Sequence, residues 1–292
     1  MNLVIGSANF GSSYGILNNK KINRNDLKKI FRLSLKNKIH FIDSAIDYPR
    51  SHLIIGKTPL RKLKVITKIK LPSDNNILIK NWILKKINLA LKELKIKKLY
   101  CLMIHDVEDV LGKNKIIFLK TLFYLKKKKI IKKIGVSVYS PLDLKKILKI
   151  FKPDIVQFPY NIFDSRMLND GLLKRLKNSN ITTYARSCLL QGLLLSLNSN
   201  ILSSNINNKF NFKFKKKLIE FEKWCNKKKI NSLQASLHFV KQVKLIDYVV
   251  VGFNNFNQFK EIVFNYKKKT IRIPNKFYCN DLNLIDPRKW KK

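Results

Sequence analysis

Three neighbouring stretches decide the fold: Leu99-Tyr-Cys-Leu-Met-Ile-His105, the segment Ile117–Lys127, and Ile134-Gly-Val-Ser-Val138. The first and last are short, nearly uninterrupted apolar runs, as expected of strands covered on both faces. The middle one has the length and apolar spacing of a helix. Strand, helix, strand is a βαβ unit, whose two strands lie parallel. The same alternation continues in both directions. Further strands are expected at Leu3–Ala8, Phe41–Ser44, Val65–Lys68, Ile155–Phe158, Thr182–Arg186 and Tyr248–Gly252. Helices are expected from a cap at Asn25-Asp26 to about Asn37, near Asn76–Leu94, and from Ser140-Pro141-Leu142-Asp143 onward. Others fall near Arg166–Lys177, Lys215–Lys228, Ser232–Lys241 and Phe256–Tyr266. Eight βα alternations predict an α/β chain of one domain, a (β/α)8 TIM barrel over residues 1–292 with a tail at about 270–292.

Composition agrees with that size of core. The 292 residues are 45% apolar and 11% aromatic, which excludes wholesale disorder. Charge is the anomaly, at +43, yet only nine of the 61 basic residues are Arg. Planar recognition of phosphates and bases favours Arg, so a lysine excess spread along the chain argues against a specific nucleic-acid partner. The lysine runs at 36–38, 95–98, 126–133 and 267–269, with Arg61–Lys64, fall where helices hand over to strands. In a barrel those turns lie on the end away from the active site. Acids gather at the other end, as Asp43, Asp47, Asp74, Asp106, Glu108, Asp109, Asp143 and Asp164.

Several functional classes are excluded. Cys101, Cys188, Cys225 and Cys279 stand far apart with no CxxC, and no metal-ligand spacing occurs, so no metal site is expected. The chain opens without a signal-peptide pattern, and its longest apolar stretch, Leu189–Leu197, is too short to span a bilayer. A cytoplasmic protein without membrane insertion is expected; its oligomeric state cannot be read. Gly6–Gly11 has Walker spacing but is followed by Ser12-Ser13, and Gly56-Lys57-Thr58 has Ser51 where the first Gly is needed. There is no GxGxxG.

Chemistry concentrates at strand ends. The second strand runs into Phe41-Ile-Asp-Ser-Ala-Ile-Asp-Tyr48, the third ends on Lys68, and the fourth on His105. Singly, each has an ordinary reading as a cap or a chance lysine. Together, Asp43, Tyr48, Lys68 and His105 project from the mouth of a barrel, where catalytic groups belong. A lysine near a phenol would pull its pKa toward working pH, with Asp43 anchoring the lysine and His105 orienting a carbonyl oxygen.

With these residues the chain resembles the aldo/keto reductase family, from Ile5 to about Val263. The resemblance rests on Asp-Ser-Ala-x-x-Tyr at 43–48, Thr67-Lys68, His105, Ile134-Gly-Val-Ser137, and Val249-Val-Val-Gly252 followed by Gln258 and Glu261. Three further motifs resemble a shorter bacterial branch often linked with surface sugars. They are Asn9-Phe-Gly-x-x-Tyr-Gly-Ile16, Gln157-Phe-Pro-Tyr-Asn-Ile-Phe-Asp164 and Arg186-Ser-x-x-Leu-Gln-Gly-Leu-Leu194.

The resemblance implies a barrel that binds NADP(H), with NAD(H) as the other option, and reduces a small carbonyl substrate or oxidises its alcohol. It implies Asp43, Tyr48, Lys68 and His105 as the catalytic tetrad, and Ser137 and Gln157 at the nicotinamide carboxamide. The loop Ser187–Gly192, with Ser187, Leu189, Gln191 and Gly192, corresponds to the pyrophosphate. Gly252, Phe253, Asn254, Gln258 and Glu261 correspond to the adenosine end. Some positions depart from the family. Val138 replaces a carboxamide-binding Asn, Arg186 replaces a stacking aromatic, and Gly252, Phe253 and Gln258 replace the usual Lys, Ser and Arg. These departures leave a cofactor-binding sensor or regulatory subunit as the alternative. His52 is a candidate for the substrate mouth, Tyr14 and Tyr160 for the substrate wall, and Lys70 and Arg50 for an anionic or hydroxylated substrate. His40 and His238 read as structural, and Cys188 is assigned no chemistry.

Overall fold

The computed structural model describes residues 2–11, 22–73, 78–198 and 212–290. Eight strands close into an all-parallel barrel in sequence order, with helices between them. They are β1 (Asn2–Gly6), β2 (Phe41–Asp43), β3 (Lys64–Ile69), β4 (Leu99–Ile104), β5 (Ile131–Ser137), β6 (Ile155–Pro159), β7 (Thr182–Arg186) and β8 (Tyr248–Val251). Each strand expected from the sequence is present, shifted at its ends by no more than a few residues.

Side-chain alternation along these strands builds two cores. Outward residues such as Leu3, Ile42, Leu102, Val136 and Val249 are buried under the helices. Inward residues Val4, Phe41, Ile66, Cys101, Met103, Ile155 and Tyr184 fill the barrel itself. At its floor Phe41 meets Tyr100 at 4.9 Å and Tyr248 at 5.1 Å, and Tyr184 stacks on Tyr248 at 4.5 Å. Lys64 and Lys133 lie over the Tyr100 ring from outside, at 5.9 and 5.8 Å. Among the described residues the barrel is therefore packed below, and its room lies at the strand C-terminal end.

Local signals account for most helix boundaries. Ser140 opens the helix Pro141–Ile150 with a capping box, its hydroxyl accepting from the Asp143 amide while Asp143 accepts from the Ser140 amide. The helix Ser232–Lys241 falls where expected, capped by Asn231. Two boundaries differ from expectation. The first helix, Arg24–Lys36, is capped by Asn23 rather than by Asn25-Asp26, because the Asn23 side chain accepts from the Asp26 amide. The expected helix Arg166–Lys177 breaks into Arg166–Asn169 and Leu172–Asn178, since Gly171 adopts φ +74 between them. Tyr14, Asp74 and the expected start at Asn76 lie outside the described residues.

The helix-to-strand turns carry an unusual backbone. Lys38, Lys95, Lys129 and Asn180 have φ of 56, 55, 58 and 54°, the left-handed conformation that normally goes to glycine past a helix end. Here lysine occupies it three times.

Candidate active site

The alternation that fills the barrel also builds its mouth. Counting by twos along each strand, Phe41 leads to Asp43, Ile66 to Lys68, Met103 to His105, and Gly135 to Ser137. On the far side, Ile155 leads to Gln157, Tyr184 to Arg186, and Val250 to Gly252. Above the apolar interior, the next inward rung is thus a ring of polar side chains and two glycines, Gly252 and, two residues beyond Val4 on β1, Gly6. It lines a cavity of about 520 Å³, and every catalytic and cofactor position named from the sequence lies in that lining.

At its centre the Lys68 ammonium donates to Asp43 Oδ2 at 2.6 Å and to the Ser44 carbonyl at 2.8 Å. Both side chains are buried, at 2% and 6% exposure. Gln157 Nε2 donates to the other Asp43 oxygen at 2.9 Å. The Tyr48 ring lies 5.5 Å from the same ammonium and meets the His105 ring edge-on at 6.2 Å. His105 Nδ1 stands 3.5 Å from Asp47 Oδ2, in ion-pair reach but without a hydrogen-bond partner. Interaction with His105 holds the Asp47 carboxyl below its ordinary value.

Tyr48 is not where elementary reasoning from Lys68 would put it. Burial, the largest effect, and the Asp43 charge push its phenol above the ordinary value. The cation that opposes the rise is Arg186. In this arrangement the phenol is a protonated donor.

The loop that presents Tyr48 is fixed from below. Ser51 donates to the Ser7 hydroxyl at 2.8 Å and lies 3.1 Å from the Ser44 hydroxyl, a buried chain that ties the β1 and β2 ends together. Gly11 packs so closely on this loop that a Cβ would lie 1.7 Å from the Pro49 carbonyl oxygen, so no other residue fits there. Across the mouth, Asn9 donates to Asn254, joining the loops after β1 and β8. After β7 the wall is strained: Ser187, Leu190 and Gln191 all have positive φ, at 58, 47 and 55°, beside Gly192 at 91°.

Two secondary candidates, His52 and Tyr160, are placed elsewhere. His52 is buried in the helix Ser51–Gly56 with Nε2 2.9 Å from the Thr67 hydroxyl, and burial lowers its pKa to about 4. Thr67 faces outward between the inward Ile66 and Lys68, so His52 belongs to the helix–barrel interface and not to the mouth. Tyr160 is buried and stacked on Phe239 at 5.4 Å, away from the cavity. His238 is structural, as expected: buried and bonded to the Asn265 carbonyl at 3.0 Å. Cys188 does line the cavity, but burial pushes its thiol up to about 12, which leaves it without nucleophilic character. Tyr139, by contrast, is a wall residue that the sequence reading overlooked. Two residues beyond Ser137, it continues the same inward alternation, and that signal would have found it.

A nicotinamide dinucleotide fits what this site leaves open. Gln157 is fully buried, its amide nitrogen is taken by Asp43, and its Oε1 has no partner, an acceptor suited to a carboxamide N–H. Gly252 faces open space and puts no side chain into the cavity it lines. Among the described residues no cluster of His, Cys, Asp or Glu could hold a metal ion, and no helix is long and apolar enough to cross a membrane.

Known structures share this architecture at low identity. AKR11C1, an aldo-keto reductase from Bacillus halodurans solved in its holo form, is similar with a TM-score of 0.72 and 15% identity, over 93% of this chain and 88% of that one. A Pseudomonas aeruginosa protein assigned to the aldo-keto reductases is similar with a TM-score of 0.64 and 15% identity, over 90% and 88%. No curated protein matches the sequence significantly. The model of the aldo/keto reductase family matches residues 2–273. The barrel, the polar ring at its mouth and this match agree: the chain belongs to the aldo/keto reductase family.

Proposed function

We propose that this protein is a nicotinamide-dependent oxidoreductase that interconverts a small aldehyde or ketone and its alcohol. The observation that carries the reading is the buried Lys68–Asp43 pair beside the Tyr48 phenol in a cavity that also holds His105 and the open acceptor of Gln157. Bound there, the reduced cofactor supplies a hydride to the carbonyl carbon. His105 orients the carbonyl oxygen by hydrogen bonding. Tyr48 gives its phenolic proton to that oxygen as negative charge develops on it, and is reprotonated from solvent. Asp43 keeps Lys68 beside the phenol, where its ammonium steadies the transient phenolate.

Gln157 and Ser137 would hold the carboxamide, and the strained loop Ser187–Gly192 the pyrophosphate. The end formed by Gly252, Phe253, Asn254, Gln258 and Glu261 would take the adenosine. NADP(H) is the cofactor carried over with the family, although none of these five residues is a cation and Gln258 already accepts from the Asn254 amide at 2.8 Å. Fluorescence titration with NADPH and NADH settles that choice. The same protein, assayed for cofactor consumption with aldehydes, ketones and aldoses, tests the reaction. Turnover of at least one carbonyl is expected; tight cofactor binding with none turned over would leave the sensor alternative.

A further inference from the structure

Two cationic side chains line the cavity, Lys68 and Arg186, together with the His105 imidazole. Asp43 neutralises Lys68, and His105 faces Asp47. No carboxylate lies within ion-pair distance of Arg186 among the described residues. Its guanidinium lies 4.2 Å from the centre of the Tyr139 ring, and it donates to the Ser187 hydroxyl and to the Val138 carbonyl, each at 3.3 Å. A guanidinium has five N–H donors, so these contacts leave the larger part of its fork open.

The support under Arg186 is built with care for position and not for charge. Arg288, from the C-terminal tail, lies 3.6 Å from the centre of the same Tyr139 ring. Two guanidinium groups thus pack on the one Tyr139 ring. Arg288 is itself forked onto Asp286, with contacts down to 2.6 Å, and Arg166, forked onto Asp164, donates to the Tyr139 carbonyl at 3.1 Å. Every other arginine in the cluster has its carboxylate. Arg186 alone presents an uncompensated planar cation to the cavity, in the form best matched to a carboxylate or phosphate. Its charge is felt at Tyr48, so the two groups share one end of the site.

We infer that the site takes carbonyl substrates that carry an acidic group, a carboxylate or a phosphate, bound by the open N–H groups of Arg186 while the carbonyl lies against Tyr48 and His105. This rests on the carbonyl-reductase reading, and gives Arg186 the task of selecting the substrate.

The test compares matched substrates: 4-oxobutanoate against butanal, and glyceraldehyde 3-phosphate against glyceraldehyde. In the wild-type protein the acidic member of at least one pair should have a kcat/KM about tenfold or more above its neutral partner. Which pair responds says whether carboxylate or phosphate is the preferred group. In Arg186→Gln that ratio should fall at least about tenfold, and Arg186→Lys should keep part of it. Taking the ratio within each variant removes any general damage to folding or cofactor binding. A wild-type ratio near one in both pairs, or a ratio unchanged in Arg186→Gln, overturns the inference.

A second measurement needs no turnover. Calorimetric titration with succinate and with inorganic phosphate should show saturable binding of at least one in wild type and in Tyr48→Phe, lost in Arg186→Gln. Removing a single charge from a chain of net +43 leaves general attraction for anions intact, so the loss locates the site. If no carbonyl is reduced yet this pattern holds, the reductase reading fails and the anion site stands. Binding absent from wild type, or retained by Arg186→Gln, removes the site itself.

Discussion

Two lysine–aspartate pairs of equal length sit at opposite ends of the barrel and do different work. Lys68–Asp43 at the mouth and Lys126–Asp154 at the base both measure 2.6 Å. The first is almost wholly buried, whereas the second is 38% and 31% exposed. Distance alone would equate them. Burial separates them, because a charge that loses its partner in water is rehydrated and one that loses it inside a protein is not. The base tolerates lysine as a solvated surface, and the mouth employs one lysine as a positioned charge.

Breaking both pairs gives the largest contrast. Lys68→Met leaves Asp43 buried and unpaired, and should cost about 3–5 kcal/mol in chemical denaturation along with the activity. Lys126→Met should cost less than about 1 kcal/mol and leave turnover intact, since the Ile134 amide still donates to Asp154. Equal losses from the two variants would show that burial does not set the difference.

Backbone strain offers a second comparison. At the base, Lys38, Lys95 and Lys129 hold left-handed conformations with no part in the cavity. Lys→Gly at each should stabilise by about 1 kcal/mol, seen as a higher Tm with unchanged turnover. Ser187 is just as strained but stands in the cavity wall. Ser187→Gly should give a similar gain in Tm while weakening cofactor binding severalfold, because the strain there holds a surface in shape. If Ser187→Gly binds cofactor as tightly as wild type, the strained loop is merely tolerated.

The smallest expected effect concerns pH. At the mouth, burial raises the half-buried Asp109 carboxyl to about 6, although the Leu71 amide donates to it at 2.9 Å. A raised carboxyl binds its proton more tightly in the folded state. Its contribution to stability is full below the unfolded value near 4 and is lost as pH rises through about 6. Asp109→Asn should flatten that part of the stability profile and gain about 1 kcal/mol at pH 7, the partial exposure having reduced the effect. A profile identical to wild type would remove Asp109 from the account.

How much of this could be read in the sequence follows from periodicity. Strands with strict inward alternation announce both the barrel and the ring at its mouth, which is why Asp43, Lys68, His105, Ser137, Gln157 and Arg186 line one cavity. Tyr139 obeyed the same rule and was overlooked. Tyr160, three residues beyond the inward Gln157, falls on the outward side of the same count. His52 lies off the strands, where no such count applies, and the short helix Ser51–Gly56 that turns it away from the mouth carries no cap in its sequence. The polarity of Tyr48 was also out of reach. It depends on how deeply the phenol is buried and on the charges of Asp43 and Arg186 around it, which are properties of the packed site.

The most direct test of the account is Tyr48→Phe, which removes one oxygen from the mouth and leaves the Lys68–Asp43 pair in place. Turnover should fall by about a thousandfold while nicotinamide cofactor affinity stays within twofold of wild type. Carbonyl reduction at the wild-type rate in Tyr48→Phe would contradict the assignment of the phenol as proton donor.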